Sequence, residues 1–283
     1  MKCWTWPPPR RGKTVYLIIA SSIMSVEETL ELKTMKAGAI ARIASIYRVD
    51  KVVVYRDKWS SAKDHRILRL VLEYALTPPH LRKRLIPLRP ELRAVGYLPP
   101  LRLPGHDLPD KPVKGLVMEG IVESCNSREC RVYLGRYGVG GLPAGEYSVG
   151  QRVIVEIIDP ETLQLRDASG TNIYLGFKVD ATSSLDRYLR RLRKRGFLIV
   201  GTSRKGECIG PDHLDKVARH DRIALVFGGP RGDVRKDADP KLYHMVVNAI
   251  PFQGTRTVRS EEAISATLAI INAYEGIKRL YNL

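Results

Sequence analysis

The chain has 283 residues, of which 44% are hydrophobic, so it is long enough to bury a sizeable core and to form two domains. It carries 47 Lys and Arg against 30 Asp and Glu, a formal net charge of +17. This excess indicates a polyanionic partner, most often nucleic acid, because neutralising phosphates releases their counterions. A thermophile-like surface dense in Lys and Arg is the alternative. No apolar run could span a bilayer and the amino terminus lacks a signal-peptide core, so we expect a cytoplasmic protein without membrane contact.

The four cysteines, at positions 3, 125, 130 and 208, are too few for a disulfide scaffold. Cys125 and Cys130 are close enough in sequence to be bridged across a hairpin, or to form half of a metal site. A zinc site would need a second ligand pair nearby, and no pair has that spacing. We therefore expect no metal, and either unpaired thiols or one optional disulfide.

The first ninety residues predict alternating strands and helices. In chain order these are a strand at Thr14–Ala20, a helix at about 26–47, a strand at Lys51–Tyr55, a helix at 61–76 and a short helix at 80–85. Both strands are apolar and β-branched, as is typical of strands buried on two faces. Ser25 and Glu28 have the spacing of a capping box for the first helix. The pattern predicts the start of an α/β domain with a parallel sheet.

The alternation of predicted strands and helices stops after residue 87. Seven prolines between Pro87 and Pro112 predict an extended linker. Short alternating runs then follow between Gly115 and Val179, namely LVMEGIVES, RVYLGRYGV, RVIVEII, TLQLRD and NIYLGFKV. Five or so such strands predict a small closed OB-like barrel, which could bind single-stranded nucleic acid or oligosaccharide, or could be a purely structural insertion. We therefore predict that residues 91–179 form this barrel with its linker, inserted between the two parts of the α/β domain at 1–90 and 180–283.

The α/β pattern resumes at Ser184. Strands are predicted at 197–200, 223–227 and 245–250, and helices at 184–195, from Pro211 onward, and at about 261–281. The helix after Ser184 has one apolar stripe, while cations cover its other sides. The candidate RNA-binding residues on that surface are Arg187, Arg190, Arg191 and Lys194; the alternative is a solvated helix face without a ligand.

Common nucleotide and hydrolase motifs are missing. Gly12, Lys13 and Thr14 resemble the end of a P-loop, but a strand follows where a helix is required. The glycines at 138–141 lie between barrel strands, so they form no dinucleotide fingerprint. The histidines have no metal-binding spacing and there is no nucleophile elbow. NTPase, dehydrogenase and hydrolase activities are therefore without support.

Three irregular segments follow predicted strands, at 201–206, 228–230 and 248–254. Because ligands of open α/β sheets bind beyond the carboxyl ends of strands, backbone groups of these segments could meet the edge of an adenine. We expect a side chain at Gly229 to fill space beside that ligand. The alternative is that the glycines only turn the chain.

Three longer motifs lie in the carboxyl-terminal third, namely VFGGPRG, DADPKL at 237–242 and VNAIPFQGTRTVRSEEAI at 247–264. In these motifs the chain resembles the SPOUT class of S-adenosylmethionine-dependent RNA methyltransferases. The most similar branch has a barrel inserted in the methyltransferase domain and includes eukaryotic ribosomal-RNA uridine-N3 methyltransferases. One departure is Arg231, which stands where many SPOUT enzymes have an acidic residue. The resemblance implies a knotted parallel-sheet domain, which composition alone would not suggest.

The resemblance also implies an activity, a cofactor and partners. It implies transfer of a methyl group from S-adenosylmethionine to a ribosomal RNA nucleotide, with N3 of a uridine as the expected acceptor. The candidate cofactor-binding residues are Thr202, Ser203, Lys205, Gly228, Gly229, Pro230, Asn248, Ala249, Ile250, Gly254 and Thr257. The candidate catalytic cations are Arg10, Arg11, Arg231 and Arg256. The rival hypothesis is a non-catalytic RNA-binding protein that uses the barrel and the basic helix.

SPOUT enzymes usually pair through their knotted domains, so the resemblance also implies a homodimer. The last helix has an apolar stripe through Ile264, Leu268 and Ile271, and a second side of small residues that includes Ala269 and Ala273. A helix that is apolar on two sides is usually buried on both. We expect the second side to meet a partner subunit, although both sides could pack within one subunit.

Overall fold

The computed structural model describes residues 4–281. Within that range the strands are β1 (Thr14–Ala20), β2 (Lys51–Tyr55), β3 (Val117–Cys125), β4 (Glu129–Tyr133), β5 (Val139–Pro143), β6 (Arg152–Asp159), β7 (Gln164–Asp167), β8 (Lys178–Thr182), β9 (Leu198–Cys208), β10 (Arg222–Phe227) and β11 (Met245–Asn248). The α-helices are α1 (Leu30–Ile46), α2 (Ala62–Leu76), α3 (Arg82–Leu85), α4 (Leu185–Lys194), α5 (Pro211–Arg219), α6 (Val234–Asp237) and α7 (Ser260–Tyr281).

Six of these strands form one parallel sheet in the order β11-β9-β10-β1-β2-β8. Successive residues of the central strand β1 face opposite cores, as the period of a strand requires. Leu17 and Ile19 pack in the core beneath α1, α2 and α7, whereas Ile18 packs in the core beneath α4. The apolar runs that were predicted to be strands therefore do form strands of one sheet. The discontinuous α/β domain with a parallel sheet is confirmed.

The start of α1 differs from the prediction. Thr29, rather than Ser25, caps this helix, because its side chain accepts a hydrogen bond from the backbone N–H of Leu32. The residues Ser21–Val26 form a 3-10 turn directly after β1. The prediction for α2 is confirmed, since the Ser61 side chain accepts from the backbone N–H of Asp64.

The inserted module is a closed barrel of five strands in the order β3-β4-β5-β7-β6. Two details of the prediction were wrong. The run RVYLGRYGV is two strands, because Gly135 and Gly138 turn the chain between them with φ of 70° and 88°. The run NIYLGFKV is not a barrel strand: it leads into β8, which pairs with β2, and its Tyr174 and Phe177 lie in the core beneath α1 and α2. Residues 172–179 therefore pack with the sheet, although the predicted barrel segment extended to 179.

The proline-rich linker is irregular, as predicted, but it packs against the α/β domain and is no free spacer. Leu92, Leu101 and Leu103 belong to the core beneath α1 and α2. A Cβ atom at Gly38 of α1 would lie 2.7 Å from Cδ of Pro99. The Pro99 ring of the linker therefore packs directly against the backbone of α1 at Gly38.

The cysteine pair at the β3–β4 hairpin forms the optional disulfide, Cys125–Cys130, while Cys208 is free and exposed. Cys3 lies outside the described residues. Between residues 4 and 281 no group of His, Cys, Asp or Glu could hold a metal ion. Over the same range, no helix has the length and apolar character needed to cross a membrane.

Candidate functional site

A cavity of about 1170 Å³ opens at the carboxyl edge of the sheet. The ends of β9, β10 and β11 line it, together with the 3-10 turn after β1 and the first turns of α7. All strands of the sheet are parallel, so these ends meet at one edge, where open α/β sheets bind ligands. The volume slightly exceeds that of an ordinary small-molecule pocket, so a nucleoside cofactor and an acceptor base could share it.

Most predicted site residues lie in this cavity. It is lined by Thr202, Ser203, Lys205, Gly228, Gly229, Pro230, Asn248, Ala249, Ile250 and Thr257 of the cofactor set, and by Arg231 and Arg256 of the catalytic set. Gly254 does not line it and has open space around it. The structure thus brings together the three predicted segments from separate parts of the chain. Their binding of cofactor stays a prediction.

Arg10 and Arg11 lie elsewhere, and their candidacy for catalysis is corrected. Both precede β1, so they lie at the amino edge of the sheet, opposite the cavity. Arg11 is 2% exposed and donates from Nη2 to Oε2 of Glu275 over 2.7 Å, and from Nη1 to the Tyr47 carbonyl oxygen over 3.1 Å. It therefore ties α1 and α7 to the start of β1. The sequence could not distinguish the two edges, because the direction of β1 relative to the cavity depends on the assembled sheet.

The segment after β10 is held against two neighbouring elements. The Gly232 N–H donates to the Gly229 carbonyl oxygen over 3.0 Å, which closes a tight turn. A Cβ atom at Gly229 would lie 1.8 Å from Oγ of Ser22 and 3.2 Å from Oδ2 of Asp57. The position therefore favours glycine, but the reason differs from the expected one, since a side chain there would point at the Ser22 hydroxyl of the 3-10 turn.

The segment at 201–206 is an irregular part of β9 and does not follow its end. Gly201 pairs with Val246 of β11, and the next pair joins Glu207 to Val247, so residues 202–206 bulge away from β11. The hydroxyl of Thr202 donates to the Val226 carbonyl oxygen over 3.0 Å. The bulge is therefore anchored to β10 on one side, and its residues 202–205 line the cavity.

Asn248 joins the first and third segments. Its Oδ1 accepts from the backbone N–H of Ile250 over 2.9 Å, and its Nδ2 donates to the Arg204 carbonyl oxygen over 3.3 Å. This side-chain turn also ends β11 two residues earlier than predicted. Arg204 in turn donates from Nη1 to the Arg256 carbonyl oxygen over 3.1 Å. The polar side chains here shape the loops, which leaves backbone groups to meet the edge of a bound adenine and supports the fit of S-adenosylmethionine.

A buried tyrosine braces the outer side of the segment after β10. Tyr55, at the end of β2, is fully buried, and its hydroxyl donates to Oδ2 of Asp237 over 2.8 Å. The same hydroxyl is 3.3 Å from the Phe227 carbonyl oxygen. Burial raises the pKa of Tyr55 and also raises the pKa of Asp237. The pair connects β2, β10 and α6, and so fixes the wall on which the glycines lie.

Sequence reasoning missed an ionic cluster on the opposite wall. Lys36 of α1 has a side chain 4% exposed, and its Nζ is 3.0 Å from Oε1 of Glu27 and 3.3 Å from Oε2 of Glu261. Glu27 and Lys36 both line the cavity. Such a cluster is held by the pairing of its charges. Glu261 lies more than two hundred positions from the other two residues in the chain, so no local pattern could have revealed the complete cluster.

The rim of the cavity is cationic. The lining residues Arg204, Lys205, Arg231, Lys236, Arg256 and Arg259 are all exposed. Asp233, an acidic lining residue, accepts two hydrogen bonds from the Arg235 side chain, and these hold the pKa of the Asp233 carboxyl below its ordinary value. The mouth is therefore suited to a polyanion.

Comparison with known proteins identifies the family. The family described as "Putative RNA methyltransferase" matches residues 14–271. An uncharacterized protein of Haloarcula marismortui is 33% identical over 287 residues, covering 93% of this chain and 100% of that protein. The human 28S rRNA (uridine-N(3))-methyltransferase is 28% identical over 302 residues, covering 92% of this chain and 78% of the human protein.

Solved structures show a looser likeness. The SpoU methyltransferase AviRb from Streptomyces viridochromogenes, in complex with AdoMet, is 12% identical with a TM-score of 0.38, covering 98% of this chain and 64% of that chain. The prediction of an S-adenosylmethionine-dependent RNA methyltransferase is confirmed by the family match and the methyltransferase relatives. Because the family model spans residues 14–271, nearly the whole chain, the protein belongs to this family of RNA methyltransferases.

Proposed function

We propose that the protein transfers the methyl group of S-adenosylmethionine to N3 of a uridine in ribosomal RNA. The observation that carries the proposal is the cavity at the carboxyl edge of the sheet, which combines the glycine-rich segments with a cationic rim. The name of the human relative supplies the acceptor atom. The non-catalytic alternative is not favoured, because it leaves this cavity without a purpose.

The reaction needs alignment and the removal of one proton. A sulfonium methyl group needs little activation, so the rate depends mainly on holding donor and acceptor in line. The uridine N3 proton must leave, and a cation beside the ring would stabilise the anionic base. Arg231 and Arg256 line the cavity and are the two candidates that remain for this role.

Two carboxylates that line the cavity, Asp233 and Glu27, can be compared as acceptors of the uridine N3 proton. Asp233 is bound by both Nε and Nη2 of Arg235, and its lowered pKa makes it a poor base. Glu27 shares Lys36 with Glu261, which leaves Glu27 with one oxygen that is not paired with a cation in the ionic cluster. Glu27 is therefore our candidate for the group that accepts the N3 proton, directly or through water.

The RNA path extends over cationic surfaces outside the cavity. Helix α4 buries Leu185, Tyr188, Leu189 and Leu192, as predicted, and exposes its cations. Arg190 is 3.4 Å from Asp239, so part of its charge is already compensated. Arg187, Arg191 and Lys194 form no ion pair with any residue between 4 and 281, and would be free to meet phosphates.

The homodimer is also part of the proposal. On α7 the stripe of Ile264, Leu268 and Ile271 packs in the chain's own core, and Ala263 packs against it. Ala273, on the side of small residues, is exposed. Ala269 on the same side is half-buried, so the part of that side around Ala273 is what the subunit leaves open, and this supports its use by a partner subunit.

The acceptor can be tested by mapping methylation in ribosomal RNA from cells with and without the gene. We expect one uridine to lose its N3-methyl group in the deleted strain, and purified protein with S-adenosylmethionine to restore it. A Glu27→Gln enzyme should bind the cofactor normally and transfer methyl slowly. Methylation restored at a ribose hydroxyl, or at another base atom, would contradict the proposed acceptor.

A further inference from the structure

An exposed aromatic ring lies beside the cavity and has no role in the site described so far. Trp59 belongs to the loop between β2 and α2 and is 44% exposed. Nζ of Lys58 lies 5.0 Å from the ring centroid, and Cζ of Arg231 lies 5.9 Å from it. Arg231 also lines the cavity, so the ring stands at the cavity edge. An indole of this kind, exposed among cations, is poorly explained as part of the core.

The loop that carries Trp59 is fixed in place. The Ser60 N–H donates to the Asp57 carbonyl oxygen over 3.1 Å, and the Asp57 N–H donates to Oγ of Ser60 over 3.2 Å. Oδ1 of Asp57 accepts from the Ser22 N–H over 3.3 Å, and Ser21 donates from Oγ to Oγ of Ser60 over 2.8 Å. The ring is therefore presented by a backbone that needs no ordering when a ligand arrives, which reduces the entropic cost of binding.

The loop is also docked against the cofactor segment. Oδ2 of Asp57 is 3.2 Å from the position that a Cβ atom of Gly229 would occupy. Any ligand held by the segment after β10 thus lies next to the loop that presents Trp59.

The exposed charged residues of the stretch 56–64, which carries the ring, are all positive. Arg56, Lys58 and Lys63 are exposed, whereas the acidic residues of this stretch, Asp57 and Asp64, are 9% and 6% exposed. Asp64 is moreover paired with Lys33 over 2.5 Å. An aromatic plane surrounded by cations, with its carboxylates turned inward, combines the two features with which proteins bind single-stranded nucleic acid.

We infer that Trp59 is a stacking platform for a base of the substrate RNA next to the methylated nucleotide. This inference rests on the proposed function, because it takes RNA to be the substrate. Stacking on Trp59 would hold one neighbouring base, Lys58 would meet an adjoining phosphate, and the target base would be left to enter the cavity. Trp59 is then a positioning residue, and no step of methyl transfer passes through it.

The sequence offers a direct optical test, since its other tryptophans are Trp4 and Trp6. In a variant with Trp4→Phe and Trp6→Phe, Trp59 is the sole tryptophan. The probe is a single-stranded oligonucleotide that contains the unmodified target uridine. Titration with it should quench the fluorescence of Trp59 to a plateau, because a stacked base quenches indole emission. Trp59→Ala should weaken binding of that oligonucleotide about tenfold, within the range for one stacked base, and Trp59→Phe should retain most of the affinity.

Three further readouts separate the possible outcomes. Binding of S-adenosylmethionine should be unchanged in Trp59→Ala, and Tyr97→Ala, which removes another exposed aromatic residue, should leave RNA affinity unchanged. Unquenched Trp59 fluorescence, or wild-type RNA affinity in folded Trp59→Ala, would overturn the inference while uridine methylation by the wild-type protein still stood. A Trp59→Ala protein that sediments as a smaller species and binds RNA normally would assign the ring to a subunit contact, which also overturns it.

Discussion

Replacement of Gly229 by alanine tests the geometry of the cofactor segment most sharply. Gly229 has no positive φ, so an alanine would suffer no backbone strain there. The effect must come from the 1.8 Å approach of the new Cβ atom to Oγ of Ser22, a residue that is fully buried. Carbon–oxygen contacts normally exceed 3 Å, so either the Ser22 hydroxyl must turn within its fully buried surroundings or the segment must move away from the 3-10 turn. We expect a loss of about 1–3 kcal/mol in the free energy of unfolding, as for other overpacked sites.

The displacement should also weaken the cofactor site. The same segment lines the cavity, so its shift should lower the affinity for S-adenosylmethionine at least about tenfold, or about 1.4 kcal/mol. Unfolding in urea and calorimetric titration of the cofactor measure the two losses separately. Gly228→Ala is the matched control, because its Cβ atom would approach nothing closer than 3.4 Å.

A double substitution identifies the contact responsible. Among the described residues Oγ of Ser22 has no hydrogen-bond partner, so Ser22→Ala alone should change stability little. In the presence of Ser22→Ala the clash with Oγ is gone and contacts of 3.2 Å remain, so Gly229→Ala should regain most of its stability and affinity. Wild-type behaviour of Gly229→Ala alone, or a double variant no better than the single one, would refute this reasoning.

Three other predictions concern RNA binding, pH and assembly. Replacing Arg190, Arg191 and Lys194 by Gln should weaken RNA binding and reduce the slope of log affinity against log salt by about 2 in a filter-binding titration; an unchanged slope would indicate a solvated helix face. Burial lowers the pKa of His106 to about 4, so between pH 6.5 and 4 the unfolded chain binds a proton that the folded chain does not, and stability should fall by about 3 kcal/mol as the pH is lowered through that window. Urea midpoints should show this fall, and His106→Gln should flatten it. Ala273→Glu should convert the dimer into folded monomers without methyl transfer in sedimentation and activity assays, whereas Ala273→Ser should not; an active wild-type monomer would contradict this.

The sequence was sufficient for the elements and for most of the cavity. Strands such as β1 and β2 were predicted to the residue, because a short apolar run bounded by turn signals has few other interpretations. The glycine-rich segments at 201–206 and 228–230 were placed at one site because parallel strands end at a common edge. These inferences need only local patterns and one topological rule.

Errors arose where the answer depended on the assembled sheet. The alternating run before Lys178 has the same period in a barrel as at a sheet edge, and only its pairing with β2 decides between them. Arg11 carries the same charge at either edge of the sheet, but its partner Glu275 lies 264 positions away in the chain. The contact between Gly229 and Ser22 is invisible for the same reason, since it joins the ends of β10 and β1.

The central claim is that the cavity at the carboxyl edge of the sheet holds S-adenosylmethionine. Calorimetric titration of the wild-type protein with S-adenosylmethionine tests it directly, with Gly229→Ala and Gly228→Ala measured beside it. The account predicts saturable binding by wild type and Gly228→Ala, and binding at least about tenfold weaker by Gly229→Ala. Folded wild-type protein that binds RNA but shows no heat of binding with S-adenosylmethionine would contradict it.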